Sequence, residues 1–195
     1  EVLRPERGEV VFVSGAAGAV GSIACQLAKL RGAKVLGSAG SDEKAAWLVE
    51  ELGADAIVNY HSRAVEDFLS EYAPEGVDCY FDNVGGQMLE LFLTRTKPGG
   101  RIGLCGAMSQ YELGDYRSGP RNFFALIEAN LRLEGFNAFR QTPARQAEIM
   151  TLLGALARDA RLLPCQTIIE GIENVPGAFA SMFKAGPRGK LVVRI

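Results

Sequence analysis

Apolar and polar positions along this chain follow two rhythms that take turns. Val10 to Val13 is an unbroken apolar run, the pattern of a strand buried on both faces, and Ile23, Ala24, Leu27 and Leu30 then recur at helical spacing. Gly15, Gly18 and Gly21 lie between, so the opening reads as strand, tight turn, helix. Gly32 closes that helix, and Ala33 to Ser38 forms a second strand. Ser41 caps a helix with Ala45, Leu48, Val49 and Leu52 on its apolar face, ended by Gly53, and Trp47 beside that face reads as packing. Ala56 to Asn59 is a third strand, Ala64 to Tyr72 a helix, and Val77 to Phe81 a fourth strand. A helix with Met88, Leu91 and Phe92 on one face, a turn at Lys97 to Gly100 and a fifth strand at Arg101 to Cys105 complete the regular part.

Parallel neighbours need crossover connections, so this alternation predicts an α/β protein: a doubly wound parallel sheet, the Rossmann fold, with helices on both faces. The rhythm breaks at Gly106 to Pro120, a polar stretch with Tyr111 and Tyr116. It leaves the carboxyl end of a strand, where ligands bind in such sheets, and reads as a flap. Phe123 to Asn130 is then helical, Leu131 to Phe139 a sixth strand, and Ala144 to Arg158 a helix with Ile149, Leu152, Leu153 and Leu156 on its buried face. The tail is a short strand-helix-strand appendage: Thr167 to Glu170, a helix lined by Val175, Phe179, Met182 and Phe183, and Leu191 to Ile195. Its packing partner is not encoded in the alternation. The chain thus divides into a nucleotide-binding domain at 1–160 and a C-terminal return segment at 161–195.

Composition narrows the function. With 195 residues, 48% hydrophobic and 23% charged, the chain can close a core, and a net charge of −2 offers no electrostatic case for nucleic acid or an acidic membrane. No apolar run is long enough to span a bilayer. Cys25, Cys79, Cys105 and Cys165 show no C-x-x-C spacing, which favours free thiols, a reducing cytoplasmic setting and no metal site. The chain opens on Glu1, nine residues before its first strand, as a piece of something longer would.

The chemistry lies in the first turn. Against the dinucleotide fingerprint G-x-G-x-x-G, the frame Ala16 to Gly21 keeps the second and third glycines and has alanine at the first. Gly18 lets the backbone approach a diphosphate, Gly21 lets the helix sit close on the strand, and N–H groups over Ala17, Gly18, Ala19, Val20 and Gly21 hold the phosphates with the positive end of the helix dipole. An acid about 20 residues beyond such a turn usually binds the ribose of NAD. Here Ser38, Ala39, Gly40 and Ser41 precede the first acid, Asp42, leaving room for the extra phosphate of NADP. Lys44 supplies the cation and Tyr60 a hydroxyl, a charge-assisted contact of about 1.5–3 kcal/mol and so a tenfold or greater preference for NADP. His61 reads as a surface side chain.

These residues resemble the medium-chain dehydrogenase/reductases, in the branch of prostaglandin reductases and alkenal double-bond reductases. The resemblance rests on SGAAGAVGS at 14–22, GSAGSDEK at 37–44, YFDNVGG at 80–86 and RLEGF at 132–136, and covers essentially the whole chain. It implies that Lys44 and Tyr60 hold the NADP phosphate and that Asn83 contacts the cofactor. It also implies that Cys105, Ala107, Ser109 and Tyr111 lie along the nicotinamide side and that Phe136 lies beside that ring. The family adds an amino-terminal substrate domain, so the chain resembles the cofactor domain alone, with 161–195 packing on the domain it lacks and little turnover in isolation. Two positions depart from the family: Glu128 stands where some plant members have a catalytic tyrosine, and Pro187 where a cofactor-contacting asparagine is expected.

The implied reaction is zinc-independent. NADPH delivers hydride to the β-carbon of an enone substrate, an α,β-unsaturated aldehyde or ketone, and the enolate is protonated at the α-carbon. Tyr111 is a weak candidate for the donor, and the residues assign no catalytic group. An NADPH quinone reductase and a noncatalytic NADP-binding module are the alternatives. No tyrosine is followed four residues later by lysine, which disfavours a short-chain dehydrogenase, and the missing acid after the second strand disfavours a methyltransferase. The sixth strand, as a sheet edge, is expected to pair across a two-fold axis in a homodimer.

Overall fold

Val11, Phe12 and Val13 are all buried, as an apolar run without polar alternation requires of a central strand. In the computed structural model, which describes residues 2–111, 119–182 and 186–195, they belong to β1 (Val10–Val13). There follow α1 (Ala19–Leu30), β2 (Lys34–Ala39), α2 (Asp42–Glu50), β3 (Ala56–Asn59), α3 (Val65–Tyr72), β4 (Val77–Asp82), α4 (Gly86–Arg95) and β5 (Thr96–Leu104). Then come α5 (Met108–Tyr111), α6 (Phe124–Glu128), β6 (Arg132–Gly135), α7 (Pro143–Arg158), β7 (Gln166–Glu170), α8 (Val175–Ser181) and β8 (Lys190–Arg194).

The first six strands form one sheet in the order β3-β2-β1-β4-β5-β6, every pair parallel. This is the doubly wound order expected from the alternation, and the chain reverses direction across the sheet between β1 and β4. Ligands bind at that reversal, outside the carboxyl ends of the strands. Val11, Val13, Val35 and Cys79 pack on one face with Cys25, Ala28, Trp47 and Leu48, and Phe12, Leu36, Tyr80 and Ile102 on the other with Phe68, Leu69, Phe92 and Leu93. Tyr80 and Phe92 stack with centroids 3.9 Å apart, and Phe12 lies 4.5 Å from Phe92.

Several expectations need correction. On α1 the buried set is Gly21, Ser22, Cys25, Gln26 and Ala28, while Ile23, Ala24 and Leu27 are half-buried and Leu30 exposed. Small residues face the sheet because they let the helix approach it. Beside α2, Trp47, Leu48 and Leu52 pack in the core as expected but Val49 is exposed, and on α4 Leu89, Phe92 and Leu93 are buried while Met88 and Leu91 are only half-buried.

Lys97 to Gly100, expected as a turn, lies inside β5: Thr96 already pairs with Val77, and the register shifts between Val77 and Cys79. The irregularity is tight, since a Cβ on Gly100 would lie 2.4 Å from Thr96 Cγ2. The sixth strand is shorter than expected, its ladder ending where the Phe136 N–H donates to Leu104 O at 3.2 Å. The preceding helix is likewise trimmed to α6. No residue of α7 is buried, and Leu152 is 60% exposed. Residues 112–118 of the expected flap, with Tyr116, and Phe183 in the tail lie outside the described residues. The described parts of that stretch are Gly106, Ala107, the single turn of α5, and Gly119 and Pro120.

β7 and β8 form a separate parallel pair. The segment leading to β7 is clamped to α1 by the buried Gln26, whose Nε2 donates to Leu163 O at 3.0 Å and whose Oε1 accepts from the Leu163 N–H at 2.7 Å.

Candidate functional site

The glycine turn is built by backbone contacts that exclude side chains. Gly15 has φ +58° and donates its N–H to Ser38 Oγ at 3.3 Å, while the Ala16 N–H donates to Ser38 O at 2.8 Å. A Cβ on Gly21 would lie 2.3 Å from Gly15 O and 2.8 Å from Ala16 Cα, so the first turn of α1 presses directly on the backbone of the loop. The N-cap, Gly18, is exposed and makes no side-chain cap bond, and α1 carries no acid in its first turn. The N–H groups of Ala19, Val20 and Gly21 are those an α-helix leaves without intrahelical acceptors, and they sit at the positive end of its dipole. That donor set, with no side chain on the exposed N-cap Gly18, fits a diphosphate. Ala17 is buried and Val20 exposed on the rim.

Ser38 departs from its expected role. It is buried at the end of β2 with its hydroxyl accepting from Gly15, so it fixes the turn from below. The neutral space lies one step further, at Gly40 and Ser41. Ser41 caps α2 by accepting the Lys44 N–H at 3.3 Å. The Tyr60 N–H donates to Ala39 O at 3.2 Å, and a Cβ on Gly40 would meet the Tyr60 hydroxyl at 3.0 Å. Lys44 and Tyr60 therefore flank Gly40 and Ser41. Burial lowers the Lys44 pKa, Glu43 opposes the shift and Arg188 adds to it. Asp42, the nearest acid of the second strand's exit, accepts from Asn59 Nδ2 at 2.9 Å.

At the end of β4 a single carboxylate oxygen organises the loop. Asp82 Oδ1 accepts from Tyr80 OH at 2.6 Å, Val84 N–H at 2.8 Å, Gly85 N–H at 2.9 Å and Ser14 Oγ at 3.2 Å. Burial, then the charge of Asp82, pushes the Tyr80 phenol pKa well up, so it stays protonated as a donor. Asn83 is held against the end of β1, its Nδ2 donating to Ser14 O at 2.7 Å and its N–H to Ser14 Oγ at 2.9 Å.

Beyond β5 the Cys105 N–H donates to Asp82 O at 2.8 Å, and Ser109 donates through N–H and Oγ to Val84 O at 3.0 and 2.7 Å. Cys105, Ala107 and Tyr111 line a cavity of about 480 Å³ with Asp82, Gly85 and Phe123. Tyr111 is 51% exposed. Burial raises the Cys105 thiol pKa, which disfavours the thiolate needed for covalent attack. Phe136 sets its ring edge against Phe81 at 5.8 Å but lines a different cavity, of about 770 Å³, with Arg4 and Arg132. His61 is exposed, as expected.

The tail contributes what sequence reading missed. The Gly189 N–H donates to Ala17 O at 2.8 Å, and Gly18 and Gly189 form a parallel bridge, so the segment before β8 seals one side of the glycine turn. Gly189 has φ +65°, and a Cβ there would fall 2.1 Å from Cys165 O. A Cβ on Gly186 would be 3.7 Å from Lys44 Nζ. Arg188 pairs with Glu43 and lies over the Trp47 ring, Cζ to centroid 5.8 Å. The only local hint is the spacing of Gly186 and Gly189 ahead of the last strand.

Residues 19–156 match the family model described as zinc-binding dehydrogenase. The chain is 44% identical over 189 residues to prostaglandin reductase 1 of Bos taurus, spanning 96% of this chain and 57% of that protein. It is 38% identical over 196 residues to the NADP(+)-dependent 2-alkenal reductase of Nicotiana tabacum, spanning 100% of this chain and 57% of that one. The crystal structure of CurA from Vibrio vulnificus in complex with NADPH is similar with a TM-score of 0.91 at 29% identity, covering 99% of this chain and 58% of that chain. The chain thus spans well under two thirds of the length of the relatives it matches.

Proposed function

Given that this chain belongs to the zinc-binding dehydrogenase family, we propose that it holds NADP(H) and is the cofactor-binding part of an enzyme that reduces the carbon-carbon double bond of α,β-unsaturated aldehydes or ketones. The names of its relatives, a prostaglandin reductase and a 2-alkenal reductase, support the reaction class, and the NADPH complex of a structural neighbour supports the cofactor. The observation that carries the cofactor reading is the paired geometry at the carboxyl ends of β1, β2 and β3. Gly15, Gly18 and Gly21 leave the turn without a Cβ at three positions, with α1 pressed on the loop at Gly21, and Lys44 and Tyr60 flank a neutral strand exit whose acid is tied to Asn59.

Bound NADPH supplies a hydride; the residues supply binding and orientation. N–H groups at the start of α1 take the diphosphate, Ser38 holds Gly15 under it, and Lys44 with Tyr60 takes the 2′-phosphate. Asn83, immobilised on Ser14, and the Cys105, Ala107 and Ser109 segment, immobilised on Asp82 and Val84, border the nicotinamide end. The Tyr111 phenol on the 480 Å³ cavity is the candidate that returns a proton to the substrate. Among the described residues no group of three or more His, Cys, Asp or Glu side chains could hold a metal ion, so they do not fit the zinc of the family's description. Among the described residues no helix is long and apolar enough to cross a membrane. Four free cysteines support a reducing, cytoplasmic setting, and the edge strand β6 supports a homodimer.

Titration of NADPH fluorescence with the 195-residue chain, followed by a 2-alkenal or a quinone, tests the reading. Tight NADPH binding and weak NADH binding are expected, with oxidation of NADPH by the alkenal only in the longer enzyme. Absence of NADPH binding by folded chain refutes it, and oxidation by the quinone but not the alkenal moves the reaction to quinone reduction.

A further inference from the structure

Arg188 is a guanidinium brought to the edge of the cofactor groove by a segment that has no part in the dinucleotide fingerprint. Its backbone is fixed on both sides: Thr167 Oγ1 donates to Arg188 O at 2.8 Å, and the next residue, Gly189, donates to Ala17 O at 2.8 Å. Its side chain lies over Trp47, one helical turn beyond Lys44, and pairs with Glu43, the residue beside Lys44. Lys44 Nζ reaches the same segment, 3.7 Å from where a Cβ on Gly186 would lie, and the charge of Arg188 adds to the burial that chiefly lowers the Lys44 pKa. The only carboxylate paired with Arg188 among the described residues, Glu43, has a side chain 76% exposed. An exposed ion pair contributes little to stability, whereas a phosphate engages a guanidinium through two parallel charge-assisted bonds. Two cations that meet one segment, the second paired with an exposed carboxylate, make a site suited to a dianion.

We propose that Arg188 is a second cation of the 2′-phosphate subsite, exchanging Glu43 for the phosphate when NADP(H) binds and adding to the discrimination against NAD(H). This rests on the reading that NADP(H) lies over Gly18 with its 2′-phosphate at Lys44. The exchange makes opposite predictions for the two partners. Arg188→Gln should weaken NADPH by about tenfold, the loss of one charge-assisted contact, and leave NADH unchanged. Glu43→Gln, which removes the competitor, should tighten NADPH about threefold and leave NADH unchanged.

The experiment is a calorimetric titration of wild type, Arg188→Gln, Arg188→Lys and Glu43→Gln with NADPH, NADH and 2′,5′-ADP, each variant checked for folding by thermal melting. Selective loss of NADPH and 2′,5′-ADP in Arg188→Gln, partial recovery in Arg188→Lys and a gain in Glu43→Gln support the proposal. Equal loss for NADPH and NADH, or an unchanged ratio, overturns it while leaving the cofactor reading intact. If Arg188→Gln does not fold, an unchanged NADPH affinity in Glu43→Gln overturns it alone. Failure of wild type to bind any of the three ligands removes the cofactor reading and the proposal together.

Discussion

Gly21→Ala is the substitution for which the geometry dictates the largest local consequence. The new Cβ would lie 2.3 Å from Gly15 O, 2.8 Å from Ala16 Cα and 3.0 Å from Ala16 C, all backbone atoms that no rotamer change can move aside. Restoring an ordinary 3.4 Å contact requires the helix start and the loop to part by about 1 Å. Alanine favours the helix by about 0.8–1 kcal/mol over glycine, and overpacking costs about 1–3 kcal/mol, so the net loss of stability is about 0–2 kcal/mol. For a chain of this size that is a fall in Tm of at most about 8 °C. Binding suffers more. A shift of about 1 Å takes an N–H donor from hydrogen-bond distance to none, and each charge-assisted bond is worth about 1.5–3 kcal/mol. Loss of one such bond weakens affinity at least about tenfold. Because the diphosphate is common to both coenzymes, NADPH and NADH should weaken equally, in contrast to changes at Lys44. Gly18→Ala is the control for folding: its Cβ meets only Gly15 O, at 3.4 Å, and Tm should not change. Fluorescence titration and thermal melting of the two variants make the test, and wild-type NADPH affinity in Gly21→Ala would refute the cradle.

Lys44→Ala should weaken NADPH at least about tenfold and leave NADH unaffected, measured by the same titration; equal loss removes Lys44 from the phosphate subsite. Since burial lowers the Lys44 pKa in the empty site, the preference for NADPH over NADH should fall as pH rises, starting below the range where an ordinary lysine titrates. A preference that stays flat through that range would contradict it. Glu9 accepts both arms of Arg101 at 2.7 Å, which holds its carboxyl below the ordinary value. Its contribution is complete above the unfolded-state pKa and is lost as pH falls through the folded-state value. Denaturant unfolding should therefore show Glu9→Gln less stable than wild type by about 1–3 kcal/mol at neutral pH, with the gap closing in acid; a constant gap refutes the assignment. Light scattering should give a dimer through β6, and a monomer at high concentration would refute the pairing.

The sheet was legible because its inner strands are apolar runs bracketed by glycines, which leaves little else for Val10–Val13 or Val77–Asp82 to be. Helix faces were harder. Periodicity weighs bulky residues, yet α1 presents Gly21, Cys25 and Ala28 to the sheet and turns Leu30 outward, because closeness there matters more than volume. The β5 irregularity at Lys97 to Gly100 carries turn residues without being a turn, and α7 carries leucines at helical spacing with none buried. The neighbourhood of Lys44 and Tyr60 was readable because a helix cap and a strand end fix their positions locally. Gly186, Arg188 and Gly189 were not, because contacts with Lys44, Trp47 and Ala17 join residues far apart in the chain and leave no periodic trace. The buried Ser38 hydroxyl supports Gly15, a hydrogen bond that composition cannot announce.

A crystal structure of the chain grown with NADP⁺ puts the cofactor reading to its hardest test. Density for the diphosphate against the N–H groups of Ala19 to Gly21, with the 2′-phosphate between Lys44 and Tyr60, is the expected result. Density for the dinucleotide at another edge of the sheet, or a bound coenzyme whose 2′-phosphate faces solvent away from Lys44, would contradict it.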